Sequence, residues 1–561
     1  MKDKSLQLMV DTVRAQVDLL EDAPDILKVM LNLIEALVEK IGKLEDENQQ
    51  LKNEISKLKG DTTPPKVRKQ SNANKGNHSS NGDRKQRSKK KENKPGGSKK
   101  STVKVDKKEK LTIATKDLPA DAKRAGIKTT VIQDILFTTE NISFERQMYF
   151  SESENKYYIA PLPEGYEGEY GPALKAWVNT LYGAAQMTTA NIVLFLKTVG
   201  TFISKSTVSR MLTKNNEPLH TEKDDIVKAG LQSTAYQNLD DTSGREHGQN
   251  RYVNVITNEY YAAFFTLPRK DRLSVIEMLS VDELKFIVND LALSLMATMK
   301  LPQKHIDFFR GRISDKYWLR KDVDAVLKHL FPNSKKHQGY RKVILEATAI
   351  AAYRQSEYAI QHLVVDDAPQ FKLITETLGL CWVHEGRHYK KLNPTFAMNK
   401  KILANFTDKF WDYYQLLKNY KNKPTKQQAQ VLKTKFDELF SQETGYTLLD
   451  EQIKKTYAKK ESLLLVLAYP FIPIHNNSAE LVARFQARCR DVHLHTMSIA
   501  GTKIKDTLAT ITMTAKKLEV NIFNYLFDRI TKAYKMTSLA ETIKFKSKLD
   551  QENIAAELVP N

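Results

Sequence analysis

The chain has 561 residues and a mass of 64.2 kDa, enough for several domains with their own cores. Its formal net charge of +21 draws it toward polyanions such as nucleic acid. Two cysteines, Cys381 and Cys489, exclude a disulfide framework or a cysteine-based zinc finger and fit a reducing compartment.

The first residues, MKDKSLQLMVD, break every apolar run with charge, so neither a secretory signal nor a transit peptide is expected. The longest apolar run, from Leu463 to Ile474, contains Pro470 and Pro473 and falls short of the roughly 20 residues that cross a bilayer. A cytoplasmic protein with no membrane partner is expected.

Apolar residues at Leu27, Met30, Ile34, Leu37, Ile41, Leu44, Leu51, Ile55 and Leu58 alternate steps of three and four, as a heptad seam requires. With Leu27 at position a, Ile dominates the a sites and Leu the d sites, and Asn48 takes a single polar a site. That pattern predicts a homodimerising coiled coil, or a higher oligomer, over 1–60. The alternative is an amphipathic helix packed within its own subunit. From 61 to 110 the chain turns to Pro, Gly, Ser, Asn and Lys, with 17 Lys or Arg against 5 Asp or Glu. A disordered basic linker is predicted over 61–112, in which Lys89, Lys90 and Lys91 would grip DNA phosphates or simply keep the tether solvated.

Over 113–227 the informative stretch is TTANIVLFLKTVGTFISKSTVSRMLTK. An apolar helix ending at Gly200, then Ser204 as N-cap and Val208, Met211 and Leu212 at helical spacing, predict a helix-turn-helix. Lys205, Ser206, Thr207, Ser209 and Arg210 would then face DNA. A helical hairpin with no DNA role has the same pattern.

After Gln232, the runs STAYQNLDD, QNRYVNVITN and EYYAAFFTLP predict three antiparallel strands, the first ending in Asp240 and Asp241. Leu363 to Val365 reads as a buried strand running into Asp366 and Asp367. In IPIHNNSAELVARFQARCR, Asn477 would cap a helix with Glu480 in its first turn and Arg484 and Arg488 on nearly the same face, placed for a DNA backbone. Each acid has an ordinary structural explanation: Asn477 with Glu480 resembles a capping box, and the aspartates resemble strand-end turns. Their order, strand-Asp, strand-Asp, helix-Glu, is what points to chemistry. Three convergent carboxylates suit hard divalent cations, and paired magnesium ions promote phosphodiester transfer.

NLDDTSG, LVVDDAPQF followed by CWVHEGRHYKKL, and IPIHNNSAELVAR resemble the catalytic blocks of bacterial DDE transposases, most nearly the group named after insertion sequence 66. The resemblance runs from about Gln186 to Ile530. It implies an α/β ribonuclease-H-like catalytic domain over 228–535 with helical insertions at about 270–341 and 399–460, and a C-terminal tail over 536–561. It also implies Asp240, Asp366 and Glu480 as catalytic residues and ligands of Mg2+, with Mn2+ as a substitute, and a bacterial, nucleoid-associated setting. Partners would be double-stranded DNA, both element ends and target, with accessory proteins left open. Two departures stand out: the cysteine-rich zinc module that many members carry is missing, and Asp241 stands where the first block usually has Glu.

Metal-activated water would cut one strand at an element end, and the freed 3′ hydroxyl would attack target DNA. The alternatives are a domesticated, non-catalytic dimeric regulator and a nuclease on the same core. Cys381, His384 and His388 lack a fourth ligand nearby in sequence, so zinc is not expected and Trp382 is assigned to the core. Ser280 with Glu283 reads as a capping box opening a helix in the first insertion. No glycine-rich phosphate loop is present, so ATP use is not indicated.

Overall fold

The computed structural model describes residues 25–58, 108 and 138–557, apart from 164, 167 and 334. Apart from Lys108, the segment expected to be a basic linker, including Lys89, Lys90 and Lys91, lies outside the described residues. The chain divides into two compact units: the larger draws on 1–71, 146–193 and 204–561, the smaller on 72–145 and 194–203. No helix among the described residues is long and apolar enough to cross a membrane.

The first described helix, α1, spans Asp25–Leu58. A short antiparallel hairpin, β1 (Met148–Ser151) with β2 (Lys156–Ile159), follows; the sequence reading missed it. Four helices come next: α2 (Pro172–Gly183), α3 (Thr189–Thr198), α4 (Lys205–Thr213) and α5 (Glu217–Gln232). Ser204 is the N-cap of α4, accepting from the Thr207 amide at 3.1 Å, while Val208 and Leu212 are buried. Gly200, in the turn between α3 and α4, adopts φ +84°, a conformation that glycine takes without cost.

The central sheet has the order β5-β4-β3-β6-β7. β3 (Tyr236–Glu246), β4 (Gln249–Thr257) and β5 (Ala262–Leu267) form an antiparallel meander, and β6 (His362–Val365) and β7 (Thr377–Leu380) add in parallel beyond β3. All four residues of β6 are buried, as expected of a strand covered on both faces. The chain is therefore mixed α/β. One helical segment separates β5 from β6, and a second follows β7. The first comprises α6 (Arg272–Leu279), α7 (Asp290–Thr298), α8 (Gln303–Arg310), α9 (Arg320–Leu330) and α10 (Gln338–Arg354). After β7 come α11 (Trp382–Lys391), then α12 (Ala397–Asn422), α13 (Lys426–Phe440) and α14 (Thr447–Tyr457). The chain closes with α15 (Asn477–His493), α16 (Ile499–Leu518), α17 (Ile522–Ile530) and α18 (Leu539–Glu557).

Helix α16 seals the edge of the sheet. The β5 amides of Ala262, Phe264 and Thr266 donate to side chains of Thr514 (3.2 Å), Thr510 (3.1 Å) and Asp506 (2.7 Å). Four residues of helix rise about 6 Å and two residues of strand about 6.6 Å, so the two ladders stay in step. An exposed strand edge is thereby protected from pairing with other chains.

Three sequence expectations need correction. β3 does not end at Asp240: it runs on to Glu246, because the tight loop at His247 (φ +48°) and Gly248 (φ +76°) makes a long hairpin with β4. Ser280 ends α6 rather than opening a helix, and α7 is capped by Asn289, whose side chain accepts from the Ala292 amide at 2.9 Å. The segment after 536 is no loose tail, since α18 buries Leu539 and Ile543 and packs on α5. Helix α1 docks on its own chain, the packing named as the alternative to a coiled coil. It does so through Leu31, Asn32 and Glu35, away from the heptad seam, leaving Met30, Leu37, Ile41, Leu44, Leu51 and Ile55 exposed.

Candidate functional site

The sheet brings the two aspartates together. In the parallel β3–β6 register Asn238 lies beside Val364, and two residues further along each chain stand Asp240 and Asp366. Parallel strands present their carboxyl ends as a shared rim, where ligands gather in open α/β sheets. Asp240 pairs across to Val255, on the face that packs under α15 through Val255, Ala479, Val482 and Ala483. Alternation of strand side chains turns Asp241 the other way.

Asn476 locks α15 to this rim. It is fully buried; its side-chain amide donates to the Leu239 carbonyl at 2.8 Å, and its side-chain oxygen accepts from Asn238 at 2.9 Å. Its own amide donates to the Cys381 sulfur at 3.2 Å. Asn476, not Asn477, is thus the residue preceding the helix, and no capping box forms. Glu480 is freed for a different role, one turn into α15 and close enough for its charge to act on Asp240.

The neighbouring acids divide sharply. Asp241 is engaged by Lys270 at 2.8 Å and by Gln370 at 2.6 Å, and Asp367 by Lys372 at 2.7 Å and Lys459 at 2.9 Å. By contrast, Asp240 accepts from the Asp241 amide at 2.8 Å and Asp366 from the Ala368 amide at 3.1 Å. Neither has a cation partner among the described residues. Burial, then the charges of Asp366, Asp241 and Glu480, push the Asp240 carboxyl up to about 7, against the pull of the Asp241 amide.

Glu480 is held from α11. Arg387 donates to it at 2.8 Å and His384 approaches at 3.4 Å. Burial acts to raise its pKa, but the pull of His384 and Arg387 outweighs that and holds it down to about 2. The pull of Cys381, then of Glu480, lifts His384 to about 10. Sequence reasoning missed Arg387 and named His384 only in a zinc reading it set aside, because CWVHEGRH shows an i, i+3 pair but not the glutamate it meets.

Cys381, His384 and Glu480 have ligand atoms within 4.8 Å of one another, so the fold supplies Glu480 where the sequence reading had placed His388. The Arg387 guanidinium already neutralises that glutamate, and the Asn476 amide already serves the sulfur, so the cluster reads as a scaffold for Glu480. The insertions brace it. Glu385 is buried against Thr456 (2.6 Å) and Lys459 (3.0 Å), and a Cβ on Gly386 would meet the Trp411 ring at 2.7 Å, so only glycine lets α11 and α12 approach this closely. Trp382 is fully buried, as expected. On the other side Arg272 pairs with Glu346 at 2.5 Å and donates to the Lys372 and Pro369 carbonyls, fixing the loop after Asp366.

Lys205, Ser206, Ser209 and Arg210 are exposed on α4, with Thr207 half-buried and its hydroxyl 2.9 Å from that of Ser204. Beside α4 lies an open cavity of about 830 Å³ whose lining includes Lys175, Arg210, Lys214 and Lys532. Arg484 and Arg488 are exposed along α15.

No protein-family model matches the chain. It is similar to the uncharacterized protein y4jO of Sinorhizobium fredii, 28% identical over 315 residues, which cover 54% of this chain and 94% of that one.

Proposed function

We propose that the chain is a DNA transposase of the DDE type, with Asp240, Asp366 and Glu480 as its catalytic carboxylates on a ribonuclease-H-like core. The observation that carries the reading is the pairing of Asp240 with Asp366 at the shared rim of β3 and β6, neither having a cation, while each adjacent aspartate has lysine. A half-buried acid pair without counter-charge suits a divalent cation. The sheet order, three antiparallel strands then two parallel ones, with the acids on β3, after β6 and on α15, supports the same reading.

Asp240 and Asp366 would hold Mg2+ or Mn2+, with Glu480 reaching it once Arg387 yields; the ion would neutralise charge on the phosphate. The chain's own residues do the rest. Asn476 holds the helix bearing Glu480 against the strand bearing Asp240, and Arg387 and His384 keep that glutamate ionised. Lys205, Ser206, Thr207, Ser209 and Arg210 of a helix-turn-helix, with Arg484 and Arg488, would bind the DNA backbone and grooves. The open heptad face of α1 would pair with a second copy.

Asp240→Asn, Asp366→Asn and Glu480→Gln should each abolish magnesium-dependent cleavage of DNA carrying the ends that flank the coding region, with binding retained. Cleavage at the wild-type rate by any of the three removes that residue from the site. Binding by the wild-type chain without any cleavage favours a non-catalytic regulator, and cleavage without strand joining favours a nuclease.

A further inference from the structure

Helix α15 runs beside β3, away from the acids. Glu480 acts on Asp240 at one end; further on, Arg490 donates to the Ser243 carbonyl at 2.8 Å, and beyond the helix Thr496 pairs with Glu246 in a β-bridge. The segment from Leu494 to Ile499 therefore sits at the tip of the β3–β4 hairpin. Its anchorage is firm. Thr496 is buried, its amide donates to Arg245 at 3.2 Å, its carbonyl accepts from the His247 amide at 2.7 Å, and its hydroxyl meets that of Thr502 at 2.7 Å.

What this anchored loop displays is apolar. Leu494 is 67% exposed, Met497 68% and Ile499 79%. Leu494 also has φ +59° and ψ −67°, and the His495 amide donates to the His493 carbonyl at 2.7 Å across it. This is the rare positive-φ form of the γ-turn, strained for any residue with a Cβ and most of all for a bulky one. Strain of this kind persists where the surroundings impose it, and it clusters at functional positions. Beside the apolar tip stand Arg245, which is exposed and whose carbonyl accepts from the Thr496 amide, and Arg490, half-buried and held by the Ser243 carbonyl and hydroxyl.

We propose that Leu494, Met497 and Ile499 form a wedge that enters duplex DNA and unstacks one base step while Arg245, exposed beside them, holds a phosphate. The proposal rests on the DNA-processing reading above and adds to it a specific contact. Apolar side chains on a rigid, basic mount are how proteins open base steps, and charge complementarity selects DNA over an apolar partner. The spacing follows from two independent rulers. From Glu480 to Leu494 along α15 is about 21 Å, and from Asp240 to Glu246 along β3 about 20 Å. At about 3.4 Å per nucleotide, the opened step lies about six base pairs from the phosphate being cut.

The test uses the full chain and a duplex taken from the DNA flanking its coding region, with 2-aminopurine moved one position at a time. The wild-type protein should raise the fluorescence at one step, about six base pairs from the cut. The Leu494→Ser/Met497→Ser/Ile499→Ser variant should bind within about threefold of wild type, raise no signal and cleave slowly, and a mismatch built into that step should restore its rate. Leu494→Gly gives a second handle: it should raise the melting temperature by removing the strain, yet weaken the signal. The wedge is overturned if the triple variant unstacks and cleaves as wild type does, or if wild type cleaves with no fluorescence change at any position. It is equally overturned if the triple variant's defect is loss of self-association without DNA. Failure of the wild-type chain to bind the duplex at all would instead remove the transposase reading.

Discussion

Asp240 carries a charge conflict that the polypeptide does not resolve. Its carboxyl keeps its proton up to about pH 7, because burial and the neighbouring acids disfavour the anion. In the unfolded chain it ionises near the ordinary aspartate value of 3.8. Between those values the folded state binds more protons, so stability falls as pH rises through the window, and the full penalty is present above about pH 7. Asp240→Asn should therefore stabilise the metal-free protein at about pH 8, by on the order of 1–3 kcal/mol after allowing for partial exposure, and by less than half as much near pH 5. Thermal unfolding of both proteins at the two pH values measures this; an equal shift at both would show that the conflict does not come from ionisation. Magnesium should raise the wild-type melting temperature at pH 8 more than that of the variant, since a ligand that binds only the folded state stabilises it.

At the scale of elements, Asn476 is where the helix and the sheet are joined. Asn476→Ala leaves the Asn238 amide and the Leu239 carbonyl unpaired in a buried site, which costs on the order of 2–4 kcal/mol. Glu480 would also lose its fixed distance from Asp240, so cleavage should drop about 100-fold at temperatures where the variant remains folded. Denaturant titration and single-turnover cleavage report the two effects separately; unaltered cleavage in a destabilised variant would confine Asn476 to a packing role. The sequence shows the ends of such elements better than their joins. Ser204 was legible because its cap is a local exchange with Thr207. β6 was legible because a strand buried on both faces must be apolar. The reach of β3 to Glu246 was not, since Thr242 to Gly244 look like a turn until β4 is laid beside them. Nor was Arg387, whose partner Glu480 stands 93 residues away.

For the molecule as a whole, the decisive question is what α1 does with its two faces. Its buried side carries Glu35, whose carboxylate accepts from the Thr395 amide, from the Phe396 amide at 3.1 Å and from Asn399 at 2.7 Å. These groups open α12, so Glu35 caps that helix from elsewhere in the chain, and an anion there also meets the positive end of the helix dipole. Asn32 adds contacts to Asn399 at 3.1 Å and to the Gly445 carbonyl at 2.5 Å. The heptad pattern could not reveal this docking, because the polar side is an ordinary solvated face in any coiled coil. Its apolar seam from Leu37 to Ile55 remains uncovered on the opposite side. In the proposed dimer the same helix would clip to its own helical segment and pair with a second copy at once, and the two contacts should separate by mutation. Leu44→Glu with Leu51→Glu should convert a dimer to a monomer in sedimentation equilibrium without altering amide-exchange protection at Phe396 and Asn399. Glu35→Ala should do the reverse, leaving the dimer intact while exposing the start of α12 to exchange, at a cost of about 1–3 kcal/mol for the groups left unpaired. If the seam variant also loses protection at α12, the two faces are not independent and α1 is held in place only by its partner; if wild type is monomeric at every concentration, the seam serves something other than a second copy.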